Sequence, residues 1–506
     1  MEPSFNHLIG EAEYEQVAAA PERYHQRLLR IFGWRFLIFL AFTQFLLKGL
    51  AITIASSVAL PLFKDLLGTD ASHLQLLSMI AHLPWSVKPV FGLLADGIRI
   101  GGYHNRYWLF TALMTGSLSA AALLLTLRER SVAGLVLCLM GVQFEICLYD
   151  LLTEGYYSGV MRDNPESGSD IVTLSQIAQI TGSITALLFV GPLSDAGQFN
   201  VLFVILIGLC AAPLGPTVAG WLPERKHTED RCCITLVPQN GRMVALIAFT
   251  GISAPIVTVL VNVWDPAVGA ALALLLTSSI IVAAFFILPQ SLARVALFQV
   301  VTTLSSPRLG SAMDYFYTAA EDCLPGGPHF SFAYYITVAG IIGSIASLLG
   351  ALAYQLTLSK VRFRIVFVLT TLLSSATGAS DLILVLRANI ALGIPDAWAY
   401  IMGEAIMEPA IGMLNYIPMS TLLSKNVPRG MESSVFAFQA GLKNFAGLTS
   451  SLTGALIFDA AGVRTVLPCD WSSLWWLILL CHVALPALVG VPTAWLIPNK
   501  LQTEEL

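Results

Sequence analysis

Apolar runs separated by short polar stretches occupy almost all of the chain between residues 35 and 497. A helix that crosses a bilayer needs about 20 predominantly apolar residues. That rule predicts fourteen spans. Six come first, at about 35–60, 72–95, 107–127, 131–160, 169–195 and 199–221. A polar segment follows, Pro223 to Arg242, containing Cys232 and Cys233, and then two runs at about 243–262 and 267–288. Six more follow at about 291–312, 331–357, 363–387, 397–423, 431–458 and 473–497. The expected organisation is a tail at 1–34, a six-helix half at 35–222, a loop with two extra spans at 223–290, a second six-helix half at 291–498, and a tail at 499–506.

The two blocks of six read as copies. Gly92-Leu-Leu-Ala95 ending at Arg106 matches Gly350-Ala-Leu-Ala353 ending at Arg364, at a constant offset of 258. Asn164-Pro165 and Gly191 match Val427-Pro428 and Gly454 at an offset of 263. The insert between the copies crosses twice and so connects them without reversing either. Parallel repeats of this kind, related by an axis along the membrane normal, are a transporter architecture.

Composition agrees with the hydropathy pattern. The 506 residues are 56% hydrophobic and 12% charged, with a mean hydropathy of +0.74. A soluble domain carries about 25% charged residues, so the class is an all-α polytopic membrane protein. The net charge of −5 and the absence of a basic block argue against a nucleic-acid partner. Residues 1–34 hold no apolar run, so no cleavable signal peptide is expected and the first span serves as the targeting signal. With the N-terminus inside, 18 of the 27 Lys and Arg fall on the cytoplasmic side and six outside, namely Lys64, Arg128, Arg130, Arg308, Arg387 and Arg464. That bias follows the positive-inside rule and makes both termini and the Pro223–Arg242 loop cytoplasmic, with the plasma membrane as the expected location.

Ionisable groups inside spans are costly and mark function by default. Lys48, Glu145, Glu408 and Lys443 fall near the middles of their spans, and Glu145 and Glu408 are partners in the repeat. Four such groups at one depth, drawn from both halves, describe a midplane cavity. Asp150 and Glu154 share a helix face, as do Glu404 and Glu408. Lys88 lies in a helix that Pro84 and Pro89 are expected to kink. The alternative for each is a buried ion pair that only fixes packing. Phe144, Tyr149, Tyr156 and Tyr157 could stack on a flat ring, or simply pack.

Cys138, Cys147, Cys210 and Cys481 fall in spans as small apolar fillers, and Cys232 and Cys233 should be reduced. Cys323 and Cys469 both lie in predicted outer loops, so a disulfide and two free thiols are both open readings. The histidines form no metal-binding spacing, no catalytic triad appears at membrane depth, and neither a metal nor a cofactor is expected.

The stretch Pro84-Trp85-Ser86-Val87-Lys88-Pro89, continuing through Gly92-Leu-Leu-Ala95-Asp96-Gly97-Ile98-Arg99 to Arg106, lets two helix ends approach and gives Asp96 basic partners. It resembles the loop signature between the second and third helices of the major facilitator transporters. Asp96, Arg99 and Arg106, with Lys360, Arg362 and Arg364 in the repeat, then read as gating loops. The Pro-Trp-x-x-Lys-Pro segment narrows the resemblance to the folate–biopterin transporter family. Asp150-Leu-Leu-Thr-Glu154-Gly-Tyr-Tyr, Ser306-Pro307 leading to Ala312-Met-Asp314-Tyr-Phe316-Tyr-Thr318, and Pro428-Arg429-Gly430-Met-Glu432 to Phe438 extend it over nearly all of 35–497. The Asp150–Glu154 form looks like that of kinetoplastid protozoan members. The chain departs from a carboxylate pair common in that family, with Ile146 where the first acid would stand and Glu145 one residue earlier.

The resemblance implies a secondary transporter of folates or pterins coupled to protons, with no protein partner expected. A carboxylate can accept two hydrogen bonds from the pterin edge, and the dianionic folate tail would want Lys48, Lys88 or Lys443. Burial favours the protonated form of a carboxylate, which suits Glu145 or Glu408 as proton carrier. A runner-up substrate is S-adenosylmethionine, whose sulfonium suits a cavity with more carboxylates than lysines. A receptor or scaffold that kept the fold is a further alternative, and an intramembrane enzyme fits least.

Overall fold

The computed structural model describes residues 24–163, 168–224, 226, 237–426, 432–502 and 504. Cys232, Cys233, Arg429 and the repeat markers Asn164-Pro165 and Val427-Pro428 lie outside the described residues, as does the side chain of Asp96. Within the described residues the chain forms helices and isolated bridges, without a strand. Ten of those helices are long and apolar enough to cross a membrane: Trp34–Leu66, Arg106–Arg128, Val132–Met161, Asp170–Asp195, Phe199–Val218, Gly241–Val263, Pro266–Ile287, Ala333–Leu358, Phe363–Val385 and Leu474–Leu496. The protein is therefore a multi-pass integral membrane protein. Phe286, 83% exposed, stands on the surface of Pro266–Ile287, and Trp264, 77% exposed, in the turn before it, as aromatic side chains do near the ends of spans.

Length and hydropathy do not reach the expected fourteen, and the four segments that fall short have chemical reasons to do so. The span expected at 72–95 is interrupted at His82 between Ala71–Ala81 and Leu83–Gly97, where Pro84 opens the second piece. Pro307 interrupts the span at 291–312, leaving Gln290–Leu304 and Gly310–Tyr317. The segment at 397–423 carries Glu404, Glu408, Pro409 and Pro418. Glu432–Ala460 is long but holds Gln439, Lys443 and Asn444. Proline denies the helix an amide donor, and each polar group lowers the hydropathy.

Local chemistry fixes the helix ends. Asp70 accepts a hydrogen bond from the His73 amide at 2.7 Å and starts Ala71–Ala81. Asp265 does the same for Pro266–Ile287 through the Ala267 amide at 2.7 Å, with proline at the first turn. The two helices of the insert do more than connect. Val237–Val263 packs on both Leu83–Gly97 and Glu432–Ala460, so it touches the first and second halves of the chain at once.

Hydrogen bonds between the two halves concentrate at one end. Lys64 Nζ donates to the Thr318 carbonyl and hydroxyl, both at 2.6 Å. Tyr315 donates to the Thr69 carbonyl at 2.5 Å, and Asp195 accepts from the Phe332 and Ala333 amides at 2.7 and 2.8 Å. Cys323 and Cys469 are joined by a disulfide in the loops at this end. Gln75, deeper in, donates to the carbonyls of Arg308 and Ser451 at 2.9 and 2.5 Å. At the opposite end the hydrogen bonds of Asn105, Arg364 and Lys425 stay within one half, while nearer the middle Asn444 donates to the Trp85 carbonyl at 2.8 Å across the halves.

Candidate functional site

Two charged regions lie inside the molecule. The first uses three helices of the first half. Lys48 sits on Phe42–Ala51, a π-helical stretch within Trp34–Leu66, whose wider turn re-aims its side chains. Lys88 sits one residue before Pro89 in Leu83–Gly97. Asp150 and Glu154 face both lysines from one side of Val132–Asp163. Lys48 Nζ lies 2.8 Å from Asp150 and 3.4 Å from Glu154, and Lys88 Nζ lies 2.7 and 3.0 Å from the same two carboxylates. Gln44 Nε2 adds a donor to Asp150 at 3.3 Å. Two cations and two anions form a closed square in which every charge has two opposite partners. Asp150 is 1% exposed and Glu154 37%, so the square is sealed at one corner and open at the other. The Trp85 ring lies 5.4 Å from Lys88 Nζ, and its indole N–H donates to Gln143 at 2.9 Å.

Glu145 does not join this square. Its carboxyl is fully buried against Gly116 of Arg106–Arg128, where a methyl group on that glycine would stand 1.9 Å from Oε2. The Cys210 thiol lies beside it as a weak donor, and among the described residues no stronger donor reaches either oxygen. The structure thus separates Glu145 from Lys48, with which sequence depth had grouped it. The aromatic residues of the same helix mostly pack: Tyr149 bonds Thr217 at 2.6 Å, Tyr156 lies tilted against Phe36 with centroids 4.5 Å apart, and Phe144 meets Phe91 edge-on at 5.2 Å. Tyr157 is also buried.

The second region belongs to the second half and is acidic and aromatic. Tyr317 donates to Asp381 at 2.7 Å and Tyr335 to Asp314 at 2.6 Å. Glu404, on the π-helical stretch Ile401–Ala405, lies against Asp381 and Glu408. Tyr400 packs 4.7 Å from Tyr317 and 5.6 Å from Tyr335 by ring centroids. His482 approaches Asp381 at 3.6 Å, an ion pair only when the imidazole is protonated. Four carboxyls thus share one neighbourhood. Asp314, Asp381, His482 and the tyrosines were not singled out as site residues from sequence. Asp381 was available to the depth rule, being an acid within a predicted span, and Asp314 stands in a motif that carried the family resemblance.

Lys443 is in neither cluster. Its ammonium lies 5.4 Å from the Tyr416 ring centroid on a helix that faces both halves. The six gating-loop residues also part company. Arg99 donates to His104 at 2.7 Å, and Arg106 reaches the Val218 carbonyl while Glu224 accepts from the Asn105 and Arg106 amides at 2.8 and 3.2 Å. Arg364 donates to the Ile497 and Trp495 carbonyls at 3.0 and 3.3 Å, and Arg362 bridges Leu501 through its backbone. Lys360 is exposed. These basic residues brace loops within their own half.

Comparison with known proteins places this geometry. The model of the BT1 family matches residues 48–506. A protein of Arabidopsis thaliana called probable folate-biopterin transporter 2 is 25% identical over 491 residues, covering 94% of this chain and 86% of its own. The folate-biopterin transporter of Synechocystis sp. is 25% identical over 444 residues, covering 86% of this chain and 76% of its own. Among solved structures, the POT family transporter PepTSo superposes with a TM-score of 0.66 at 12% identity, over 91% of this chain and 97% of its own. That likeness establishes the fold, which is the major-facilitator fold.

Proposed function

The chain belongs to the BT1 family, and on that premise we propose that it is a secondary active transporter of folates and pterins, folic acid and biopterin among them. It works by alternating access, coupled to protons, and is not an enzyme. The observation that carries this reading is the extent of the family match, which runs over residues 48–506 and takes in both charged regions. The substrate class comes from the relatives, whose names are folate-biopterin transporters.

Geometry supports the rest. The cross-half bonds gathered at one end suit a molecule whose two halves rock about a central cavity, closed at that end and released at the other. With the positive-inside bias, the closed end is the outer one and both termini are cytoplasmic, in the plasma membrane. Lys88, Glu154 and Trp85 offer a cation, a half-exposed carboxylate and a flat ring at one place, which matches a pterin's amino and N–H edge and its aromatic face. Proton carriage falls to two carboxyls, Glu145, buried beside the Cys210 thiol, and Glu408, exposed beside Glu404.

A second substrate reading has its own observation. The carboxyls of Asp314, Asp381, Glu404 and Glu408 among tyrosine rings would suit a sulfonium cation such as that of S-adenosylmethionine. Competition separates the two. Proteoliposome uptake of labelled biopterin should be blocked by unlabelled folate and untouched by S-adenosylmethionine; the reverse pattern would transfer the assignment to the cation. A Glu145→Gln, Glu408→Gln double variant should lose the pH dependence of uptake, and its retention would remove these two residues from the proton path.

A further inference from the structure

With Lys48 and Lys88 both engaged by Asp150 and Glu154, the cations left over lie elsewhere. Arg308 stands in the break between Gln290–Leu304 and Gly310–Tyr317, in the Ser-Pro-Arg sequence that interrupts this helix. Its backbone is clamped: its N–H donates to the Ser450 carbonyl at 3.3 Å, and its carbonyl accepts from Gln75 at 2.9 Å. Gly454 makes the clamp sterically feasible, because a methyl group there would fall 2.0 Å from the Arg308 carbonyl oxygen. The guanidinium then runs along Glu432–Ala460 to Gly447, where a methyl group would lie 3.6 Å from it. Lys443 is one helical turn from Gly447, on the same face.

Two positive groups are therefore held within electrostatic reach of each other, and Arg308 is the charge that acts on Lys443. Both side chains are exposed. Among the described residues neither has a carboxylate or a hydrogen-bond acceptor, and Lys443 meets only the face of Tyr416. His82 of the first half also feels Arg308, and its ring nitrogens face Ser56, Gln143 and the Ser78 carbonyl. Like charges brought together by a fixed backbone, with no anion supplied by the protein, are stabilised by an anion supplied from outside.

We propose that Arg308 and Lys443 form the site that takes the carboxylate end of the substrate, Arg308 as a bidentate donor and Lys443 as a second charge. The inference rests on the folate and pterin reading and deepens it, because folate carries carboxylates and biopterin carries none. The site divides recognition between the ring, read by the first half, and the anion, read by the second. It also spans the seam, since Gln75 and His82 come from the half that Arg308 does not.

The test is equilibrium binding of labelled folate and labelled biopterin to the purified full-length protein in detergent, with Arg308→Gln, Arg308→Lys and Lys443→Gln variants. Arg308→Gln and Lys443→Gln should each weaken folate binding on the order of 10- to 100-fold and leave biopterin within about twofold. Arg308→Lys should fall between wild type and Arg308→Gln, as expected when charge is kept and the fork is lost. Equal weakening of both ligands, or unchanged folate binding, would overturn the inference while leaving the transporter reading intact. Binding of neither ligand by the wild type would overturn the reading and the inference together. If Arg308→Gln fails to fold, Lys443→Gln still decides, because that side chain makes no bond that holds the fold.

Discussion

The two halves of the molecule handle their charged side chains in opposite ways. In the first half, Lys48, Lys88, Asp150 and Glu154 neutralise one another at 2.7–3.4 Å. In the second, the carboxyls of Asp314, Asp381, Glu404 and Glu408 gather with tyrosines, while Arg308 and Lys443 stand apart without an acid. The closed square is self-sufficient, so removing one member leaves a buried charge unmatched. The separated arrangement leaves its charges unmatched, and in the transport cycle proposed above protons would complete one side and a substrate anion the other. Sequence repeat does not imply repeated surroundings: Glu145 and Glu408 stand at matching places in the sequence repeat, yet one is sealed behind its helix and the other joins a cluster.

The sharpest way to break this comparison is Asp150→Ala. It leaves two lysines sharing one half-exposed glutamate, and the expected cost is about 3–5 kcal/mol, read as a lowered unfolding temperature in detergent. Adding Lys88→Met should restore part of that loss; strict additivity of the two changes would mean the square is not a coupled unit. Gly454→Ala forces a methyl group onto the Arg308 carbonyl and should cost about 1–3 kcal/mol by the same measurement. Tyr335→Phe removes the 2.6 Å hydroxyl donor to Asp314 and should cost about 1 kcal/mol. Glu145→Gln should change stability least, within about 0.5 kcal/mol, because no cation pairs with this carboxyl among the described residues and the amide keeps its shape. A loss as large as that of Asp150→Ala would show Glu145 to be charged and paired after all.

Much of this architecture is legible in the sequence. Apolar runs of membrane length appear as helices, and Lys88, Asp150 and Glu154 stand out because charge inside a span is rare. Their meeting with Lys48 was not readable, since it depends on a π-helical turn at Phe42–Ala51 that hydropathy does not register. Depth along a span located Glu145 but not the face it occupies, and Gly116, the residue that makes room for it, looks like any other membrane glycine. Arg308 reads as a loop residue beside Pro307, and only the groove at Gly447 and Gly454 turns it inward. The acidic cluster draws on residues 314, 381, 404, 408 and 482, which sequence distance keeps apart.

The most direct test of the transport claim is uptake of labelled folate and biopterin into proteoliposomes under an inward proton gradient, repeated after a protonophore collapses it. Saturable uptake of both compounds is expected, falling to the level of empty vesicles once the gradient is gone. Uptake of neither compound, or uptake indifferent to the gradient, would contradict it.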